Sequence, residues 1–231
     1  MPIMDTSTLL TYLQGFLTPE RAANFEALLA QRTRHLTVVV EDIYQPHNAS
    51  AVLRSCDCFG VQDVHIVEYE TEYNVNPGVA LGASKWLTLH QYKPETRPDP
   101  LVDCFSDLKS AGYQILATTP HTDDQLISEL DITRPTALVF GNEGRGISDR
   151  VREMADGFVK IPMYGFTESF NISVSAALCL YELTERMRKT GINWQLTEEE
   201  IAALRLEWTR RSIKNVDQIE ARFHSRDGRP D

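Results

Sequence analysis

A short stretch near the amino end alternates strand, helix and strand signals, and this alternation limits the chain to a parallel sheet. The β-branched run Leu36–Glu41 predicts a strand, and residues 64–67 predict the next one. Residues 48–59 between them have helical spacing and precede Gly60, a residue type that commonly ends helices. Two strands joined by a helix within about thirty residues form a parallel pair with a right-handed crossover.

Strand and helix signals keep alternating along the chain, so we expect an α/β domain with appended helices. The domain is predicted at residues 36–190, between an N-terminal helical extension at 1–35 and a C-terminal one at 191–231. Residues 69–84 lack a clear period and are predicted to form a mobile loop. Further strands are predicted at 86–92, Gln114–Thr118, Thr136–Phe140 and 158–161, and further helices at 18–33, 101–111, 126–130, 149–155, 169–189 and 198–223.

The side-chain pattern also predicts how two of these helices begin and pack. Asn48 is a favourable residue type for the position that caps the first helix of the domain. In the helix at 169–189, the apolar residues predicted to point inward are Val174, Leu178, Tyr181 and Leu183.

Composition argues against several classes of protein. The chain contains no run of about 18 apolar residues and no amino-terminal signal pattern, so neither a membrane span nor secretion is expected. The four cysteines, Cys56, Cys58, Cys104 and Cys179, lie in apolar patterns without the spacing of a zinc site. We therefore predict reduced, mostly buried thiols in a cytoplasmic protein that holds no metal.

The net charge of −10 is unevenly distributed along the chain, which matters for a nucleic-acid partner. Residues 205–231 contain seven basic and five acidic residues, although the rest of the chain is strongly acidic. Arg210, Arg211 and Lys214 are therefore candidate phosphate contacts. The alternative is that these three residues form an ordinary solvated helix face.

Two loops that follow apolar strands predict a small-molecule cleft. The strand Thr136–Phe140 runs into a turn that contains Gly141, Gly144 and Gly146. The strand at 158–161 opens into a loop that enters a long helix through small polar residues, where free backbone N–H groups can bind a polar ligand. Such loops at neighbouring strand ends favour a cleft at the edge of a parallel sheet. A nicotinamide or nucleotide enzyme is an alternative, but the glycine spacing is reversed from its usual pattern.

Arg54 is the notable residue of the first helix of the domain. It lies almost two turns beyond Asn48, among small and apolar residues, and an arginine there needs an anionic partner. The partner is either a ligand or a neighbouring carboxylate, such as that of Asp57.

Together these segments resemble the SpoU/TrmH family of RNA ribose 2′-O-methyltransferases, a member of the knotted SPOUT class. The resemblance spans about residues 36–190, and it is closest to the branch that methylates guanosine 18 in the D-loop of tRNA. Methylation of rRNA, or of another tRNA position, remains an alternative because Gly144-Arg145 is common among rRNA-modifying relatives. Phe170 also departs from the leucine that is usual in the third motif. The three motifs are His47-Asn48-x-Ser50-Ala51-x-x-Arg54, Phe140-Gly141-Asn142-Glu143-Gly144-x-Gly146-Ile147-Ser148 and Ile161-Pro162-Met163-x-Gly165-x-x-x-Ser169-Phe170-Asn171-x-Ser173-Val174-Ser175.

The resemblance implies a Rossmann-like parallel sheet with a deep trefoil knot at about residues 115–190. It also implies S-adenosylmethionine held by the knot loops, RNA as partner, and a homodimer in which both subunits contribute to each site. The implied cofactor-lining residues are Thr118, Gly141, Ile161, Met163, Phe170 and Asn171.

The implied catalytic residues are Arg54, Asn48, Glu143, Ser169 and Asn171. Arg54 would act on the 2′-hydroxyl with help from an RNA phosphate. Because a guanidinium is a poor base, with a pKa above about 12, we favour a phosphate clamp. Asn48 would position Arg54 or the ribose, Glu143 would hold Arg54 or the substrate, and Ser169 with Asn171 would order the cofactor loop. A non-catalytic RNA-binding protein is a further alternative.

Overall fold

The computed structural model describes residues 6–69, 82–120 and 125–227 of the chain. The chain divides into two compact units, one of residues 33–195 and one of residues 1–32 with 196–231. Most of the loop predicted at residues 69–84 lies outside the described residues.

The larger unit is built on a parallel sheet, which within the described residues has seven strands in the order β3-β2-β1-β6-β4-β7-β5. Every neighbouring pair of strands is parallel, so the predicted α/β fold is confirmed. The trefoil knot implied by the family stays a prediction. The strands are β1 (Leu36–Glu41), β2 (Asp63–Val67), β3 (Thr88–Tyr92), β4 (Gln114–Thr118), β5 (Gln125–Leu126), β6 (Thr136–Phe140) and β7 (Gly157–Lys160).

Helices cover both faces of this sheet, which explains why its central strands are apolar at consecutive positions. On one face, Val38 and Val40 of β1 belong to a core with residues of α3 and α6. On the other face, Val39 belongs to a core with residues of α4 and α5. The helices of this unit are α3 (Pro46–Phe59), α4 (Pro100–Ser110), α5 (Asp149–Met154) and α6 (Ile172–Lys189), with single 3₁₀ turns at Ala83–Lys85 and Ile127–Glu129.

The buried face of α6 differs from the predicted one. Val174, Leu178 and Tyr181 were expected to point inward, but they are 44 %, 41 % and 56 % exposed, whereas Leu183 is buried as expected. The prediction was wrong because this helix is apolar on more than one side, so periodicity alone does not select the inner face. The residues of α6 that are buried are Ile172, Ala176, Cys179, Leu180, Leu183, Thr184 and Met187.

The start of α3 also differs from the prediction. The helix begins at Pro46 with Gln45 in the capping position, and Asn48 lies within the first turn. Proline has the backbone angle that the first helical position needs, and it has no N–H to leave unsatisfied there. The end is as predicted, because Gly60 follows the helix with a left-handed φ of 79°.

The smaller unit contains four helices within its described residues: α1 (Thr6–Gln14), α2 (Pro19–Leu29), α7 (Glu198–Ser212) and α8 (Val216–Asp227). The single helix predicted at residues 198–223 is therefore wrong. It breaks near Asn215, whose φ of 55° is one that asparagine tolerates better than most residues. The predicted start of α7 is confirmed, with a capping box between Thr197 and Glu200.

The candidate phosphate contacts of this unit are partly engaged with carboxylates. Arg210 pairs with Glu220, at 2.6 Å between Nε and Oε1, and Arg211 pairs with Glu207. Both arginines would have to exchange a carboxylate for a phosphate in order to bind RNA. Lys214 is exposed, and within the part of the chain that is described it has no ion pair.

Candidate active site

A cavity of about 500 Å³ opens in the larger unit where the carboxyl ends of β4, β6 and β7 meet the starts of α3 and α6. This is the place where open parallel sheets bind ligands, and the volume lies in the usual range of roughly 300–1,000 Å³. Apart from Arg54, all nine predicted catalytic and cofactor-lining residues line this cavity. They are Asn48, Thr118, Gly141, Glu143, Ile161, Met163, Ser169, Phe170 and Asn171.

The glycine-rich loop after β6 is held in one shape by Asn142. The side-chain oxygen of Asn142 accepts hydrogen bonds from the N–H groups of Gly144 and Arg145, at 2.9 and 3.3 Å. Its amide donates to the carbonyl of Asp42 at 2.8 Å, which ties the loop to the end of β1. The backbone closes through a pair of hydrogen bonds between Asn142 and Gly146. The loop is thus an organised wall of the cavity.

Gly141 is required by the tightness of this loop. A Cβ atom at this position would lie 2.3 Å from the carbonyl carbon and oxygen of Gly146 and 2.4 Å from the nitrogen of Ile147. Contacts this short with backbone atoms cannot be relieved by turning a side chain. Gly146 has a positive φ of 69°, which also favours glycine.

One chain of hydrogen bonds joins the three sequence motifs beside the cavity. The side-chain amide of Asn171 donates to Oδ1 of Asn48 at 3.1 Å. The amide of Asn48 donates in turn to Oε1 of Glu143 at 2.9 Å and to Oε1 of Gln45 at 3.3 Å. Asn48 is only 4 % exposed, so its polar atoms depend on these partners. The three motifs therefore form one connected site.

Glu143 organises the start of α3. Its carboxylate accepts hydrogen bonds from the backbone N–H groups of Tyr44, at 3.2 Å, and Gln45, at 3.4 Å. Together with the bond from Asn48, these contacts place a negative charge at the amino end of that helix, where its dipole favours one. Glu143 was expected to hold Arg54 or substrate, whereas among the described residues it bonds to Tyr44, Gln45 and Asn48, at and just before the start of α3.

Asn171 orders the start of α6 in a similar way. Its Oδ1 accepts from the N–H of Ser173 at 2.8 Å and from the hydroxyl of that residue at 2.6 Å, so Asn171 caps the helix. Ser169 and Phe170 precede it and line the cavity. The predicted helix start at residue 169 is three residues too early, because these residues belong to the cavity loop.

Arg54 is the one predicted catalytic residue that does not line the cavity. It is exposed on α3, one and a half turns or so beyond Asn48. Among the residues that the structure describes, no carboxylate pairs with its guanidinium and no acceptor bonds to it, so the alternative pairing with Asp57 is not formed. The guanidinium is therefore available to an external anion.

Glu41 is a buried acidic residue beside the site that was not predicted from the sequence. It is 2 % exposed at the end of β1, and its carboxylate accepts from the hydroxyl of Ser148 at 2.5 Å and from the N–H of Ser148 at 3.0 Å. Burial raises the pKa of Glu41, while these two bonds from Ser148 act in the opposite direction. Ser148 also caps α5, so the pair fixes the far end of the glycine-rich loop. The sequence offers one local signal for this pair, which is that serine is a favourable helix-capping residue at position 148. The contact with Glu41 has no local signal, because the two residues are 107 positions apart.

Other cavity residues were also missed by the sequence reasoning. The walls include Thr119 and Pro120 after β4, and Arg145 and Arg152 bring positive charge.

Within the described ranges, no group of three or more histidine, cysteine, aspartate or glutamate side chains is arranged to hold a metal ion. A search of the same residues for a helix long and apolar enough to cross a membrane found none.

A parallel sheet with a ligand-sized cavity at its carboxyl edge is the arrangement of the α/β proteins that bind small molecules at that edge. The sequence profile of the SpoU rRNA Methylase family matches residues 35–181. The chain therefore belongs to this family of RNA methylases. The predicted family is confirmed.

Several curated relatives are similar over most of the chain. The tRNA (guanosine(18)-2′-O)-methyltransferase of Borreliella burgdorferi is 41 % identical over 92 % of this chain and 95 % of the relative. The protein of the same name from Thermus thermophilus is 37 % identical over 76 % of this chain and 87 % of the relative.

Solved structures agree with these sequence relatives. The TrmH/SpoU tRNA modifying enzyme of Aquifex aeolicus superposes with a TM-score of 0.74 at 32 % identity, over 84 % of this chain and 98 % of that one. The SpoU methyltransferase AviRb of Streptomyces viridochromogenes, solved with the cofactor AdoMet, gives a TM-score of 0.57 at 25 % identity, over 71 % of this chain and 62 % of that one.

Proposed function

We propose that this protein transfers the methyl group of S-adenosylmethionine to the ribose 2′-hydroxyl of guanosine 18 in tRNA. The observation that carries the proposal is the bond chain from Asn171 through Asn48 to Glu143, which joins all three family motifs at one cavity. The relatives named for this reaction are similar to the chain over most of its length. We propose a cytoplasmic location as well, which a tRNA substrate supports.

The cavity fits S-adenosylmethionine, the donor that the family implies. Gly141 and Gly146 approach each other tightly, so at these two positions the loop offers the donor backbone without a side chain. The hydroxyl of Thr118 donates to the carbonyl of Val139 at 3.0 Å, so this residue would meet the donor through its backbone and methyl group. Ile161, Met163 and Phe170 would supply apolar contacts. When bound, the donor supplies a methyl group that its positively charged sulfur activates for displacement.

The residues of this chain would then position the ribose and neutralise charge. Asn48, Glu143 and Asn171 fix the walls, so that the donor and the ribose hydroxyl meet in a constant geometry. Arg54 would bind an RNA phosphate, because a guanidinium matches two phosphate oxygens and stays charged. The phosphate, or another group, would take the hydroxyl proton.

We infer that the functional unit is a homodimer whose interface includes the exposed stripe of α6, residues Val174, Leu178 and Tyr181. A stripe of three apolar side chains that are 41–56 % exposed on one helix is typical of an interaction surface. Helix α3 packs beside α6 in the same core. A dimer formed through α6 would therefore hold α3 of the second copy near the interface, and would bring the second copy's Arg54 close to the site.

Replacement of Leu178 by lysine should convert the dimer to a monomer, because a charge would be buried against the partner. Light scattering at micromolar concentration should give twice the chain mass of 26.2 kDa for the wild type and the single mass for Leu178→Lys. Val102→Lys on α4 is the matched control, since Val102 is 40 % exposed, and it should stay dimeric. A monomeric wild type would contradict the inference.

The proposed reaction is tested by mapping ribose methylation in tRNA and rRNA after incubation with purified protein and donor. Methylation of guanosine 18 is expected, and Asn171→Ala should weaken donor binding at least tenfold in calorimetry, because the cavity loop loses its cap and its bond to Asn48. Methylation found only in rRNA, or at another tRNA position, would overturn the substrate. Absence of donor binding by the wild type at millimolar concentration would overturn the reaction.

A further inference from the structure

The side chain of Tyr44 is exposed beside the cavity. Its exposure is 70 %. Among the large apolar side chains of the described residues, only those of Tyr164 and Phe166 are more exposed. Tyr44 lies in the segment between β1 and α3, and the next residue, Gln45, lines the cavity. A large aromatic side chain gains free energy when its ring is covered, so an exposed ring next to a cavity is a candidate contact for a ligand.

The backbone beneath this ring is firmly held. The N–H of Tyr44 donates to Oε2 of Glu143 at 3.2 Å, and the N–H of Gln45 donates to Oε1 of the same carboxylate at 3.4 Å. On the other side, Asp42 accepts from Nδ2 of Asn142 through its carbonyl, at 2.8 Å. The ring is therefore presented to solvent from an ordered segment that is tied to the second motif through Asn142 and Glu143.

We propose that the ring of Tyr44 stacks on a nucleobase of the RNA, at or next to the nucleotide whose ribose enters the cavity. The inference rests on the proposed function and adds a residue that binds the base. Enzymes that modify a nucleotide and proteins that recognise RNA loops commonly hold an unstacked base on an aromatic side chain. The chemistry recognised is the flat face of a base in a single-stranded loop.

The local charge favours a base over a phosphate at this position. The carboxylate of Glu143 lies directly under the backbone of Tyr44 and would repel a phosphate there. A neutral base has no such penalty, and stacking supplies roughly 1–3 kcal/mol per base. The positive side chains near the cavity lie elsewhere, at Arg54 on α3 and at Arg145 and Arg152 on the cavity wall.

The test compares Tyr44→Phe with Tyr44→Leu, because phenylalanine keeps the flat aromatic face and leucine keeps only apolar bulk. The substrate is full-length tRNA that carries the fluorescent base 2-aminopurine in place of guanine 18, whose emission is quenched when it stacks. Phe16→Leu is the matched control, since Phe16 is also an exposed aromatic residue, at 51 %, and does not line the cavity. Donor affinity and light scattering are measured for every variant.

We expect Tyr44→Leu to bind the tRNA about tenfold more weakly and to leave 2-aminopurine unquenched in the complex, with donor affinity unchanged. Tyr44→Phe and Phe16→Leu should bind and quench like the wild type. Wild-type behaviour of Tyr44→Leu, or equal losses in Phe16→Leu, would overturn the stacking role while the wild type still methylates guanosine 18.

Two further outcomes distinguish base stacking by Tyr44 from a dimer contact and from failure of the proposed function. A Tyr44→Leu protein that becomes monomeric would show that the ring is covered by a second copy of the chain, and this would overturn the inference. A wild type that methylates no tRNA would overturn the proposed function and this inference with it.

Discussion

Replacement of Arg54 by alanine is expected to slow methyl transfer to tRNA by about a hundredfold or more, the loss seen when one preorganised stabilising group is removed. Arg54 is exposed and has no partner among the described residues, so its removal should leave folding and donor binding unchanged. Arg54→Lys should lose as much, because lysine keeps the charge but not the planar pair of donors that fits a phosphate. The measurement is single-turnover transfer with saturating donor.

Arg134 offers a matched control for this experiment. It is also exposed in the larger unit and does not line the cavity, so Arg134→Ala should transfer the methyl group at the wild-type rate. If Arg54→Ala shows near-wild-type turnover, the catalytic interpretation of the first motif has to be abandoned.

Replacement of Gly141 by alanine is expected to disrupt donor binding and to destabilise the protein by roughly 1–3 kcal/mol, the usual cost of forcing extra atoms into a packed region. The new methyl group would lie 2.3 Å from the backbone of Gly146, so the glycine-rich loop must move as a whole. This movement would displace Asn142 and the neighbouring Glu143. Calorimetric titration with the donor and urea unfolding measure the two effects.

Gly144→Ala is the control for Gly141→Ala, because it adds the same methyl group to the same loop. The nearest atom to a Cβ at Gly144 is Oδ1 of Asn142, at 3.5 Å, which is an ordinary contact. Donor affinity and stability should therefore stay close to those of the wild type. Equal losses in the two variants would show that the loop is sensitive to any added side chain and that the approach of Gly141 to Gly146 is not the cause.

The strands were the part of the fold most readily predicted from the sequence. Leu36–Glu41, Gln114–Thr118 and Thr136–Phe140 have the predicted bounds, because short β-branched and apolar runs with polar or turn-forming residues around them leave few other structures. The helix surfaces were harder to predict. Tyr181 and Leu178 have the same apolar character whether they face a core or an exposed stripe, and the break at Asn215 depends on a single backbone angle.

The members of the candidate site could be predicted, but their contacts could not. Asn48, Glu143 and Asn171 were named by their match to the family's three motifs, and they line the cavity. Their bonds span 95 and 123 residues of sequence, and local periodicity carries no information at such separations. For the same reason, Asn48 was predicted to cap its own helix, whereas it bonds to two distant motifs.

The bond between Asn48 and Asn171 has a consequence for how the protein is made. A ribosome adds about 5–20 residues per second, so the second partner emerges roughly 6–25 seconds after the first. Strand β1 also pairs with β6 along one edge, and β6 is synthesised about 100 residues later. That edge of β1 stays unpaired until β6 has emerged. A chain that is still being synthesised, or one that terminates before Asn171, therefore has no complete cavity. Such a fragment would be unable to modify the tRNA molecules that surround the ribosome producing it.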